Sequence, residues 1–245
     1  MSRTFFVGID LAWGYRRPDG VCVMESKGSQ VVLREITLSQ GDQALLSTLE
    51  GYRSSGACLV AMDAPVICPN ASGARPVDRE ASRWFASYKC GCYPANRSQH
   101  PRPPDLARKI TELGFSLNPS AKHSLFEVYP HPTMVRWFGL EERIPYKKGR
   151  VTERRHHFKS LQKHLRRCLK ERFPKLRVCS VLEKLLAVPW SKDVEDQTDA
   201  LVCSLIAWWH HQYEGLRTQQ LGDPTTGLML VPLLSKEHAT QESRA

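Results

Sequence analysis

The chain has 245 residues, 41% of them hydrophobic and 24% charged, with a net charge of +10. That length and balance suit a soluble globular protein that buries its own core without covalent staples. Residues 1–10 lack the basic start, apolar stretch and cleavage site of a signal peptide, and no apolar run is long enough to span a bilayer. The expectation is a cytoplasmic protein with no membrane partner, so the eight cysteines are read as reduced.

In chain order, Phe5–Ile9 is an apolar run of strand length that ends on Asp10 and then meets Gly14. An acid there is either a turn-former or a metal ligand. Arg16-Arg17-Pro18-Asp19-Gly20 is a turn, and Gly20–Glu25 and Gln30–Leu38 read as two strands that complete an antiparallel meander. Leu45, Leu46 and Leu49 predict a helix over Asp42–Tyr52. Ala57–Met62 is nearly all apolar, as in a strand buried on both faces, and it ends on a second acid, Asp63. Cys22, Cys58 and Cys203 sit in apolar patterns and read as core residues.

Residues 66–123 are less regular. Arg75–Tyr88 is expected to be helical, with Arg75, Arg79 and Arg83 sharing a face. Cys90-Gly-Cys92, with Cys68 and His100, matches no usual zinc spacing and reads as loop thiols. Gly91–Pro104 is expected to be loop, and Asp105–Leu113 a short helix. Ser124–Tyr129 reads as a strand containing Glu127, which alternates away from Phe126 and Val128 toward either the acidic positions or solvent. His131, between two prolines, is a ligand, a base or a turn residue, and a helix is expected from Thr133 to Phe138.

Thr152–Phe173 gives the clearest helical pattern, with Phe158, Leu161, Leu165 and Leu169 as its core stripe. Arg154, Arg155, Lys159 and Lys163 stand among its remaining positions. Arg143–Arg177 holds 14 Lys and Arg against Glu153 and Glu171, a local +12 that leaves −2 for the rest of the chain. Such a block is either a solvated face or the footprint of a nucleic-acid partner. After a short helix at Ser180–Ala187, a run of acids leads into an apolar helix. Asp196 and Asp199 share one face near its N-terminus. Capping accounts for Asp196, but Asp199 already enters the apolar stretch. Trp208-Trp209 is core or a partner surface, Leu228–Leu233 is expected to return as a strand, and 235–245 is a polar tail.

Asp10, Asp63, Glu127 and Asp199, with Asp196 as a further candidate, are acids at separated positions. Gathered in one place they repel unless a cation sits among them. Oxygen-only ligands suit Mg²⁺ or Mn²⁺, and two such ions can clamp an in-line phosphoryl displacement.

The element order resembles the ribonuclease H-like fold: three antiparallel strands, then parallel strands in a mixed α/β sheet with flanking helices. More narrowly, Gly8–Trp13, Asp63-Ala64-Pro65, Arg75–Arg79, Phe126–Pro130 and Asp196–Leu201 are similar to an uncharacterised family numbered 429, described as predicted nucleases of that fold. With no interdomain linker in the chain, one domain is expected over 1–234, with an insertion at about 66–123 and the basic helical segment at about 143–177. The resemblance implies a divalent-metal nuclease acting on DNA or RNA, with Asp10, Asp63 and Asp199 as core ligands. The Asp196–Asp199 pair is similar to the terminal acids of Holliday-junction resolvases of this fold. Arg75 and Arg79 match the family's arginine-containing helix and imply phosphate contacts, to which Arg154, Arg155, Lys159 and Lys163 would add. The rival readings are a nucleic-acid binder without turnover and, further off, a small-nucleotide phosphohydrolase or a kinase-like protein. The kinase reading lacks a Gly-rich phosphate hairpin, because only Gly14 follows the first acid.

Overall fold

Alternation along one strand organises the molecule. Phe6 points to one side of β1 (Thr4–Asp10) while Phe5, Val7 and Ile9 point to the other, and both sides are buried. A strand apolar on both faces must lie mid-sheet with helices above and below. In the computed structural model, which describes residues 3–234, β1 is such a strand.

It pairs antiparallel with β2 (Asp19–Lys27), which pairs antiparallel with β3 (Gln30–Ser39). On its other side it runs parallel to β4 (Ala57–Met62), and β4 runs parallel to β5 (His123–Val128). The meander, the strand 57–62 and the next parallel strand thus stand where the apolar runs place them. Two strands were not foreseen. Leu176–Arg177, here β6, adds a short parallel edge beside β3. Thr218–Asp223, here β7, forms a hairpin with β8 (Gly227–Pro232), and β8 joins β5 in parallel. The mixed sheet has eight strands in the order β6-β3-β2-β1-β4-β5-β8-β7.

Helix α1 (Asp42–Ser55) and helix α3 (Arg102–Glu112) cover the face of Val7, Ile9 and Leu125. The other face packs on α4 (Pro130–Phe138), α5 (Val151–Arg172), α6 (Ser180–Leu185) and α7 (Lys192–Gln212). The stripe Phe158, Leu161, Leu165 and Leu169 is buried against this face, and Trp208 and Trp209 are core. Helices α3 and α4 begin earlier than expected, with prolines in their first turns. A proline there loses no helical hydrogen bond, so Pro130 and Pro132 open α4 rather than block it. His131 is therefore helical. Helix α2 (Pro76–Trp84) is shorter than 75–88 and starts one residue after Arg75.

Among the described residues no helix is long and apolar enough to cross a membrane. The expected tail, 235–245, lies outside the described residues.

Candidate active site

Strands β1 and β4 are parallel neighbours with Ile9 opposite Met62, and the Asp63 N–H donates to the Ile9 carbonyl at 2.9 Å. The next residue on each chain is an acid, so Asp10 and Asp63 emerge side by side at the carboxyl end of the sheet. Their parity sends both toward the face that packs on α7.

Helix α7 reaches them because two glycines let it. A Cβ on Gly8 would lie 2.0 Å from the Ala200 carbonyl and 2.2 Å from the Ser204 nitrogen. One on Gly20 would lie 2.2 Å from the Asp196 carbonyl. Backbone thus lies on backbone, and the first turns of α7 bring Asp196 and Asp199 over the strand ends. Both of these acids are buried, while Asp10 and Asp63 are half-buried.

The acids feel one another. Burial, joined by the charges of Asp199, Asp63 and Asp196, pushes the Asp10 carboxyl well above the usual range. Burial, with Asp199 and Glu127 nearby, raises Asp63 to about 7. In both cases Lys147 works in the opposite direction.

Lys147 belongs to the connection between α4 and α5. Its Nζ lies 2.7 Å from Asp199 Oδ2, and the neighbouring Tyr146 hydroxyl donates to Asp199 Oδ1 at 2.6 Å. Burial disfavours the charge on this lysine, but Asp199, Tyr146, Asp10 and Asp63 outweigh it and raise its pKa well above the usual value. Lys192 makes a similar contact 2.6 Å from Asp196 Oδ1. Neither Asp10 nor Asp63 makes a side-chain hydrogen bond or ion pair among the described residues.

A groove of about 570 Å³ opens beside Asp10 and Asp196. Its wall is the β1–β2 loop, with Trp13, Tyr15, Arg16 and Arg17, and Lys192 stands opposite. The buried Arg102 holds that loop in place. It binds Asp19 through both Nη atoms, at 2.9 and 2.6 Å, and donates to the Gly14 carbonyl at 2.9 Å.

The family described as "Protein of unknown function (DUF429)" matches residues 8–226. The chain belongs to this family. No curated protein and no solved structure matches it. The DUF429 match includes all four clustered aspartates, but its description assigns them no chemistry.

The sequence-derived candidates of this DUF429 chain divide into those the fold gathers and those it does not. Asp10, Asp63, Asp196 and Asp199 come together. Glu127 does not join them in the way its alternation suggested. It stands opposite Met62 in the β4–β5 register, so it faces the α1–α3 side of the sheet. Its Oε1 and Oε2 accept from Arg75 at 2.7 and 2.8 Å, and Oε2 also accepts from the Val66 N–H at 3.1 Å. Burial nevertheless raises the Glu127 pKa, with Arg75 opposing the rise.

Arg75 is likewise not on a shared surface with Arg79. Its guanidinium is buried and fully engaged by Glu127, Asp78 and the Ile67 carbonyl. Arg75 precedes the helix, which turns it inward, whereas Arg79 lies on the helix and is exposed. On α5, Arg154 lies 5.0 Å over the Trp190 ring, beside the start of α7, while Arg155, Lys159 and Lys163 are exposed. From Arg154 to Lys163 the helix runs about 14 Å.

His131 also approaches the cluster. Burial drops its pKa to about 3, with Lys147 lowering it further and Asp199 opposing. Its Nδ1 is buried without a hydrogen-bond partner. Lys147, Tyr146 and Arg102 gave no signal in the sequence. Each lies in or beside a loop, where no period marks a contact.

Among the described residues no group of three or more His, Cys, Asp or Glu forms a ready-made metal cage. The donor chemistry nonetheless fits a hard cation. Mg²⁺ keeps most of its waters and needs only one or two carboxylates, and Asp10 and Asp63 are two adjacent carboxylates with no other partner.

Proposed function

We propose that this chain hydrolyses phosphodiester bonds of nucleic acid at the Asp10–Asp63–Asp196–Asp199 centre, with Mg²⁺ or Mn²⁺. The observation that carries the reading is the approach of these four acids to one another, from two strand ends and one helix start, with Asp10 and Asp196 lining a groove that arginines and aromatic rings also line. A ribonuclease H-like arrangement belongs to the same proposal. The central order β3-β2-β1-β4-β5, antiparallel and then parallel, supports it.

Asp10 and Asp63 would hold the ion, with Asp199 and Asp196 beside them. The ion supplies Lewis-acid polarisation of the phosphoryl group and a water of lowered pKa. In hydrolysis the water oxygen bonds to phosphorus, one P–O bond breaks, and the proton lost by the water ends on the released oxygen. The chain's own part is positioning. Arg16 and Arg17 would bind backbone phosphates, Trp13 and Tyr15 would offer faces for bases, and Arg154, Arg155, Lys159 and Lys163 would extend the phosphate track along α5. Arg79 is exposed and available to a phosphate, while Arg75 supports the site from beneath.

One observation favours a second reading, nucleic-acid binding without turnover: the third acid, Asp199, is already neutralised by Lys147. A cleavage panel separates the two. Single-stranded, duplex, hybrid and branched substrates are incubated with Mg²⁺, Mn²⁺ or chelator. The expected result is cleavage that chelator abolishes and that Asp10→Asn lowers about a hundredfold or more. Salt-sensitive binding with no cleavage of any substrate would replace the nuclease with the binder.

A further inference from the structure

The four aspartates fall into two pairs that the sequence does not distinguish. Asp199 is engaged on both oxygens: Oδ1 accepts from the Tyr146 hydroxyl at 2.6 Å, and Oδ2, which has no hydrogen-bond partner, is ion-paired with the Lys147 ammonium at 2.7 Å. Asp196 shares Lys192 with Glu195, the ammonium lying 2.6 Å from Asp196 Oδ1 and 2.7 Å from Glu195 Oε1. Asp10 and Asp63 have no such partner among the described residues. Resting on the metal-dependent reading above, we infer that Lys147 permanently fills one of the two cation positions, so that the centre takes a single divalent ion, at Asp10 and Asp63, beside the lysine.

Three features lead there. The first is charge. With Glu195, which shares Lys192 with Asp196, five carboxylates face two ammonium groups, so one divalent ion leaves the centre still negative and two would make it positive. The second is donor geometry. An ion at Asp199 would have to displace both a hydroxyl and an ammonium from a fully buried carboxylate. An ion at Asp10 and Asp63 displaces no hydrogen-bond or ion-pair partner among the described residues. The third is the placing of the lysine itself. Its side chain is 31% exposed while its tip contacts a carboxylate that is 0% exposed. Its stem thus keeps contact with solvent while its ammonium bears on Asp199, Asp10 and Asp63 together.

An ammonium in that place is a preorganised positive charge with three donors, able to bind a non-bridging or departing phosphate oxygen. Lys147 would then be a catalytic residue standing in for the second metal ion. Unlike an ion, it is not lost to chelator and does not depend on metal concentration.

The test is the number of Mn²⁺ ions bound by the full chain, counted by calorimetry and by loss of the free-Mn²⁺ paramagnetic resonance signal. It uses the wild type, Lys147→Met, which keeps the length and loses the charge, and Lys147→Arg, which keeps the charge. The expected counts are one ion for wild type, two for Lys147→Met and one for Lys147→Arg. Two ions on the wild type would overturn the inference and leave the nuclease reading standing. So would a Lys147→Met protein that binds one ion with unchanged or weaker affinity. Absence of Mn²⁺ binding to any of the three would overturn both the inference and the metal-dependent reading. Circular-dichroism melts report whether each variant folds. If Lys147→Met does not, the wild-type and Lys147→Arg counts decide, since two ions on either contradicts a lysine-filled position.

Discussion

Asp63 shows how one side chain links chemistry to stability. Folded Asp63 keeps its proton to about pH 7, against an ordinary value of 3.8, chiefly because it is buried. Between those values the folded state binds more protons than the unfolded one. Its contribution is therefore present at low pH and is lost as pH rises across that window. Asp63→Asn removes the loss. Without divalent ions we expect the variant to melt about 3–6 °C above wild type at pH 8, from a gain on the order of 1–2 kcal/mol, and to match it at pH 4. Mn²⁺ should raise the Tm of wild type at pH 8 and leave the variant nearly unmoved. Thermal melts at the two pH values, with and without Mn²⁺, check both statements. Arg75 and Arg102 show the opposite use of burial. Each is an arginine 1% exposed, and each is matched by two carboxylates. Truncating either would strand buried acids, the costly way to break such a pair.

At the level of elements, the site is a contact between α7 and the strands β1 and β2. Nothing in the acids themselves holds that contact. It depends on Gly8 and Gly20, where a side chain would collide with helix backbone rather than with a movable side chain. Gly8→Ala should therefore displace α7 and cost about 1–3 kcal/mol or more, read as a lower urea midpoint. It should also weaken Mn²⁺ binding although no ligand is changed. Gly14, where a Cβ meets nothing, should accept alanine with little effect on stability. The element assignments follow the same division. Apolar runs and the stripe on α5 announce their elements directly. β6 and β7 do not announce themselves, because a two-residue edge and the polar segment Thr218–Asp223 are strands only through the partners they meet. Glu127 makes the same point within a predicted strand. Its alternation was legible, but which face it joined was set by its register against Met62.

Taken as a whole, the molecule joins an acidic centre to a basic flank. The local +12 of Arg143–Arg177 runs from the connection after α4 through α5 to β6, and that segment also delivers Lys147 to the acids. If α5 is a phosphate track, neutralising Arg154, Arg155, Lys159 and Lys163 together should weaken nucleic-acid binding across all sequences. It should also flatten the slope of log affinity against log salt by about 3 to 4. Titrations at several salt concentrations measure this, and an unchanged slope would make these residues a solvated face. The sequence by itself determined the mixed α/β class, the central strands and the four aspartates, because each rests on short-range signals: a period of two, a period of 3.6, or an acid ending an apolar run. The tertiary structure alone decided which acids are free and which are occupied. It turned Glu127 and Arg75 away from the cluster and brought in Lys147, Tyr146 and Arg102. Those facts depend on strand register and loop paths between residues far apart in the chain, and no local pattern records where a loop will carry a charge.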